Sequence, residues 1–236
     1  MMSDASAEVF ARGFALLENV ISPALVDEIV SELGQIQINS EVKQRAGKAY
    51  GIRRLLEVVP LIRTLADSEN IRAIIEPILG KESRIVRGIL FDKNSVANWK
   101  VPWHQNVVIA LREKKEVSGF TAWSTKAGVV HAQPPVEILE SILAIRIHLD
   151  DTDENNGALR VIPGSHKFGV IGDDEIQKFK ENNEQITCTA AQGGALLMRP
   201  LLLHASSVAT APTHRRVIHL EYSALNLPDG LEWYGS

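Results

Sequence analysis

Apolar residues recur with a helical period in the first third of the chain and with a strand-like one afterwards. A short apolar run, Phe14 to Leu17, follows Gly13 and reads as a strand. Ser22-Pro23 then offers an N-cap with proline at the first helical position, and Ala24, Leu25, Ile29 and Leu33 keep a helical period up to Gly34. Residues 35–58 are polar and basic and predict a surface loop. Helix resumes from Ile62 to Leu65, and Ser68 caps a further helix through Ile71, Ile74, Ile75 and Leu79, ended by Gly80. From Arg84 the period changes. Apolar, β-branched runs at 85–91, 101–110, 141–149, 158–162, 195–203 and 216–222 predict strands, separated by turn sequences such as 150–157, Pro163-Gly164-Ser165 and 191–194. Many short strands after helices predict a mainly β fold, a barrel or double-sheet jelly roll with the N-terminal helices packed on one face. The expected organisation is one domain over 1–236, with 1–83 mostly helical and a jelly-roll core over 84–226. The segment 111–137 has no clear period and is expected to be a lid.

Composition narrows the function classes. A net charge of -4, with no stripe of lysines and arginines, argues against a nucleic-acid surface. The single Cys188 excludes a disulfide scaffold and fits a reducing cytoplasm. The N-terminus lacks the basic and apolar regions of a signal peptide, and no apolar run reaches the ~20 residues of a membrane span. A small-molecule partner is left as the expectation, with the oligomeric state unread.

The chemistry gathers around Trp103-His104-Gln105-Asn106. On a strand, residues i and i+2 share a face, so His104 and Asn106 are expected to project together with Gln105 turned away. His204 lies on a later strand with Ser206 on its face. Two imidazoles and one oxygen donor suggest a facial metal triad with open positions, the arrangement of non-haem iron oxygenases, although imidazole also suits zinc and copper. Arg215 follows His204 across a turn and opens the next strand. Its guanidinium can grip a co-substrate carboxylate through two parallel hydrogen bonds, which a zinc hydrolase would not need.

These stretches resemble the phytanoyl-CoA dioxygenase family of iron(II)/2-oxoglutarate-dependent oxygenases. The resemblance rests on WKVPWHQN (99–106), ALRVIPGSHK (158–167), GGALLMRPLLLHASS (193–207) and HRRVIHLEY (214–222). It implies a cupin-like double-stranded β-helix forming a single oxygenase domain. It implies iron(II) held by His104, position 106 and His204, and 2-oxoglutarate held by Arg215 with Ser206 and Trp123 nearby. With O2 it implies hydroxylation of a small metabolite, releasing succinate and CO2. Position 106 departs from the pattern, which has Asp there; Asn offers a neutral oxygen and no charge. The alternative is therefore an impaired or inactive homologue that binds a small molecule. A cupin-like zinc or manganese enzyme is the third reading.

Other residues have plainer roles set against functional ones. Arg146 shares a strand face with His148 and Asp150; it either binds a substrate anion or forms a buried ion pair with Asp150 or a neighbour. Lys100, Trp103 and Gln133 are further substrate candidates, against a solvated face or ordinary packing. Lys93 is expected on a solvated face and His131 and His214 exposed; His219, on the face of Arg215, is expected in core packing, with support of the site from behind as the alternative.

Overall fold

The computed structural model describes residues 2–36, 42–45, 48–210 and 213–235. The chain opens with helix α1 (Met2–Arg12), strand β1 (Phe14–Leu17) and helix α2 (Pro23–Gln35). The Ser22 hydroxyl accepts from the Leu25 amide, the predicted N-cap. Strands β2 (Val42–Arg45) and β3 (Lys48–Ile52) and helix α3 (Leu55–Val58) occupy most of the region expected to be a loop. The rest of that expectation, at 37–41 and 46–47, lies outside the described residues. Ile52, Leu55 and Leu56 are buried, and these apolar anchors among basic residues are what the overall polarity concealed. Helices α4 (Pro60–Ala66) and α5 (Glu69–Leu79) follow, the latter stopping at Gly80 with φ 87°.

The strands β4 (Arg84–Lys93), β5 (Val101–His104), β6 (Ile109–Leu111), β7 (Thr121–Lys126), β8 (Val129–Gln133), β9 (Ile142–His148), β10 (Leu159–Val161), β11 (Ile186–Cys188), β12 (Ala195–Met198), β13 (His204–Ser206) and β14 (Arg215–Ser223) build three sheets. The largest runs β1-β12-β9-β14-β4-β3-β2, the second β11-β10-β13-β5, and the third β6-β8-β7. The described pairings are antiparallel. Segment 111–137 is thus not irregular throughout: β7 and β8 form a hairpin, paired through β8 to β6. Helix α6 (Val136–Glu140) and helix α7 (Asp173–Asn182) fill connections between strands.

Strand alternation divides the large sheet into two unlike faces. Leu143, Ile145 and Ile147 of β9 and Ile218, Leu220 and Tyr222 of β14 pack with the N-terminal helices in the main core. The intervening residues face the second sheet, and Ala144, Leu196 and Met198 from the large sheet pack there against Leu159, Val161 and Cys188. The two sheets enclose the polar cavity between them. Among the described residues no helix is long and apolar enough to cross a membrane.

Candidate active site

His104 ends β5 and His204 opens β13, and the antiparallel register sets them directly opposite each other. Their ring centroids are 4.2 Å apart. Each imidazole is oriented by its own backbone: His104 Nδ1 lies 2.9 Å from the Pro102 carbonyl and His204 Nδ1 2.8 Å from the Leu202 carbonyl. A carbonyl only accepts, so both rings carry the proton on Nδ1 and keep the Nε2 lone pair for a metal. Burial, and then the neighbouring His104, hold His204 well below its usual pKa, so its ligating nitrogen stays unprotonated.

The strand stops at His104, short of the predicted run over 101–110. Asn106 instead lies in an irregular segment between β5 and β6; its amide donates to the Pro200 carbonyl at 2.9 Å, and its side chain still lines the cavity beside the two histidines. Gln105 does turn away. Its amide nitrogen donates to the carbonyls of Gly169 and Leu201 at 2.8 and 2.7 Å, and its oxygen accepts from the Ile171 amide at 2.7 Å. This buried side chain clamps the segment that presents both candidate ligands. Among the described residues no three His, Cys, Asp or Glu side chains form a metal-binding group. A metal here fits two imidazoles and the neutral amide oxygen of Asn106, a donor set that suits a borderline cation but adds no negative charge.

The cavity has a volume of about 320 Å3. Arg215 enters it from the start of β14, where its Nη1 donates to the Gly157 carbonyl at 2.7 Å and its Nε is buried without a partner. Burial lowers its pKa to about 10 against the opposing field of Asp92, so the guanidinium remains charged. Ser206 also lines the cavity, its hydroxyl accepting from Lys93 Nζ at 2.7 Å, while the same ammonium donates to the Ser207 carbonyl at 2.6 Å. Lys93 is 1% exposed, not on a solvated face. Burial first, then Arg215 and Arg146, lower its pKa to about 7. Gly157 closes this corner: at φ 82° it approaches so closely that a Cβ would lie 2.7 Å from the Ser207 carbonyl oxygen and 3.0 Å from Lys93 Nζ.

Further in, register pairs His219 of β14 with Arg146 of β9. Arg146 Nη1 donates to His219 Nδ1 at 3.2 Å, and His219 Nε2 faces Glu221 Oε1 at 3.0 Å. Arginine has no acceptor, so His219 accepts on Nδ1 and donates from Nε2 to the carboxylate. Although burial opposes it, Arg87 and then His219 hold the Glu221 carboxyl down at about 2. Arg87 lies 3.5 Å from Glu221 and also contacts His131 Nε2 at 3.3 Å. The expected Arg146–Asp150 ion pair is not formed, because Asp150 bonds both the amide and the guanidinium of Arg216. His131 is buried rather than exposed, with burial lowering its pKa to about 4. His214 is half exposed and reaches Asp92 at 2.8 Å.

The structure does not bring the remaining candidates to this cavity. Trp103 points to the opposite side of the small sheet, under the Arg160 guanidinium at 5.5 Å and packed toward Ile162, Ile171 and Leu203. Lys100 is exposed beside it. Trp123 sits on the β7–β8 hairpin, its indole N–H donating to the Phe120 carbonyl at 3.3 Å. Gln133 ends β8 away from the cavity lining. Trp99, Arg87 and Glu221 do line it. Strand alternation carried a signal for Glu221, two residues beyond His219, whereas Arg87 and Trp99 reach the site only through sheet pairing and loop geometry.

Two facing antiparallel sheets with paired histidines at one end and buried arginines on the opposite wall define a cupin-like double-stranded β-helix of the oxygenase type. Residues 10–217 match the family described as phytanoyl-CoA dioxygenase, and the chain belongs to that family. A probable alpha-ketoglutarate-dependent hypophosphite dioxygenase from Stutzerimonas stutzeri is 25% identical over 197 residues, covering 75% of this chain and 58% of that protein. The chain thus spans less than two thirds of the length of that curated relative. The fold matches EctD from S. alaskensis with bound Fe at a TM-score of 0.75 and 18% identity, over 99% of this chain and 83% of that one. It matches AviO1 from Streptomyces viridochromogenes Tue57 at 0.69 and 19%, over 97% and 96%. EctD has also been crystallised with 2-oxoglutarate and 5-hydroxyectoine, a structure that aligns at a TM-score of 0.74 and 18% identity over 99% of this chain and 83% of that one.

Proposed function

We infer that the protein is a non-haem iron(II)/2-oxoglutarate-dependent oxygenase that hydroxylates a small molecule, working as a single domain in the cytoplasm. One oxygen atom of O2 enters the substrate and the other enters succinate, formed from 2-oxoglutarate with loss of CO2. Iron, when bound, supplies the activation of O2. His104, His204 and Asn106 are the residues that would hold it. Arg215, Ser206 and protonated Lys93 form the polar end that receives the distal carboxylate of 2-oxoglutarate, and charge-assisted bonds from a guanidinium suit that group. Trp123, whose indole N–H bonds the Phe120 carbonyl on the hairpin, is left out of this assignment. The substrate carries negative charge, because Arg146 projects into the same cavity. Enclosure between two sheets keeps water from the reacting groups.

The observation that carries this reading is the opposed pair of imidazoles, both tied at Nδ1 and both open at Nε2, in one cavity with Arg215. The test is anaerobic titration with iron(II), with and without 2-oxoglutarate, followed by assay of succinate in air. The chain should bind one iron and develop visible charge-transfer absorption only when 2-oxoglutarate is added. His204→Ala should abolish both signals. Asn106→Asp should bind iron more tightly, because it adds an anionic ligand. Succinate from the aspartate variant alone would assign the present chain to binding without turnover.

A further inference from the structure

Three guanidiniums, those of Arg87, Arg146 and Arg215, line the cavity against one carboxylate, that of Glu221. Glu221 lies against Arg87, and the field of Asp92 acts on Arg215. Arg146 has neither. It is 7% exposed, its Nη1 is spent on the neutral acceptor nitrogen of His219, its Nε is buried with no partner, and it lies 5.6 Å from the centre of the Phe91 ring. A buried charge without a counter-ion is costly, and a ligand that supplies the counter-ion removes that cost.

The same wall leads outward. A second cavity of about 400 Å3 shares Arg87, Ile89, Phe91 and Trp99 with the first; Ile52, Leu90 and Ala97 extend its apolar lining, and Arg53 and Asn98 are its further polar residues. A compact inorganic oxyanion has no use for that space. We propose that the substrate is an organic acid whose acidic group is held by Arg146 and whose apolar body passes between Phe91 and Trp99 into the outer cavity. His219 is then a positioning residue. Locked by Glu221 on one side, it fixes the Arg146 guanidinium where it lines the cavity. The acid would lie on the wall opposite the histidines, on a different guanidinium from the one at Arg215, so the two anions do not compete for one guanidinium.

This rests on the oxygenase reading for the occupancy of the Arg215 corner, and the test separates the two. Acetate, butanoate, hexanoate, hexanol and hypophosphite are titrated calorimetrically, without oxygen, into protein loaded with iron(II) and 2-oxoglutarate, and again into metal-free protein. In the loaded protein, affinity should rise by about fourfold per methylene from acetate to hexanoate. Hexanoate should bind far more tightly than hexanol. Arg146→Met, which fills the site with a similar apolar volume, should erase the preference for the acid while keeping 2-oxoglutarate affinity; Arg146→Lys should keep part of the preference. Equal binding of hexanoate and hexanol, hypophosphite binding more tightly than hexanoate, or an unchanged preference in Arg146→Met would overturn the proposal. Loss of 2-oxoglutarate affinity in Arg146→Met would also overturn it, by assigning that guanidinium to the co-substrate. If the chain binds neither iron nor 2-oxoglutarate yet metal-free protein still prefers hexanoate through Arg146, the oxygenase reading fails and this one stands.

Discussion

The two faces of the large sheet are made by the same strands and behave as different materials. On β14, Ile218, Leu220 and Tyr222 point into the helical core, while Arg215, His219 and Glu221 point into the cavity. On β9, Ile145 and Ile147 pack outward and Arg146 points inward. The first face is apolar, close-packed and stabilising. The second concentrates charge in a buried space, which costs stability in the free protein and is recovered when anions and a metal bind. A sheet buried on both sides therefore need not be apolar on both sides.

The sharpest way to break the contrast is one substitution on each face. Ile145→Ala should cost about 2–5 kcal/mol by removing buried methyl groups and leaving a cavity. Urea denaturation would show it, and 2-oxoglutarate affinity of the remaining folded protein should be unchanged. Arg215→Met should do the reverse. Co-substrate affinity measured by calorimetry should fall by about 30- to 150-fold, near 2–3 kcal/mol, while folding stability is unchanged or higher. If both variants lose stability alike, the faces are not specialised in this way.

Acid sharpens the comparison further. Buried neutral His148 and His131 have pKa values lowered to about 3 and about 4, against 6.5 for the free side chain. As pH falls below about 6.5 the unfolded chain takes up these protons first, so each histidine removes up to about 1.4 kcal/mol of stability per pH unit. Glu221 is held down at about 2, so its contribution is present above 4.5 and is lost as pH falls toward 2. Thermal melts from pH 7 to 3 should show a steep decline, and His148→Asn should flatten it between about 6.5 and 3. The smallest effect is expected at Lys93. With its pKa lowered to about 7, it loses its charge as pH rises, so 2-oxoglutarate affinity should weaken by about threefold between pH 7 and 8, with proton uptake on binding. Lys93→Met should remove that dependence.

Most of the candidate centre was legible in the chain because its members lie at strand ends with strong local patterns. His104, His204 and Arg215 each sit in a β-branched, apolar setting, and the family resemblance joined them. What local pattern misjudged was environment. Lys93 beside Asp92 and Asn94 looks solvated in one dimension, yet β14 and the Gly157 turn cover it. His131 stands in a stretch without clear period, yet pairing with β6 and β7 buries it. Trp103, next to a candidate ligand, turns to the opposite side of its sheet by the same alternation that was applied to its neighbours. The polar look of 35–58 hid two strands and a helix because few apolar side chains, Ile52, Leu55 and Leu56 among them, are buried there.

The sequence by itself determined most strands of the two facing sheets, which residues share a face, and which side chains have the chemistry to hold a metal and a dicarboxylate. These are properties of short spacings, set by backbone period and residue type. Tertiary structure decided the rest: that His104 faces His204, that Arg146 meets His219 instead of Asp150, and that one arginine in the cavity has no counter-ion among the described residues. Each depends on the register between strands distant in sequence, and register is set by the whole packed sheet, beyond what any local pattern encodes.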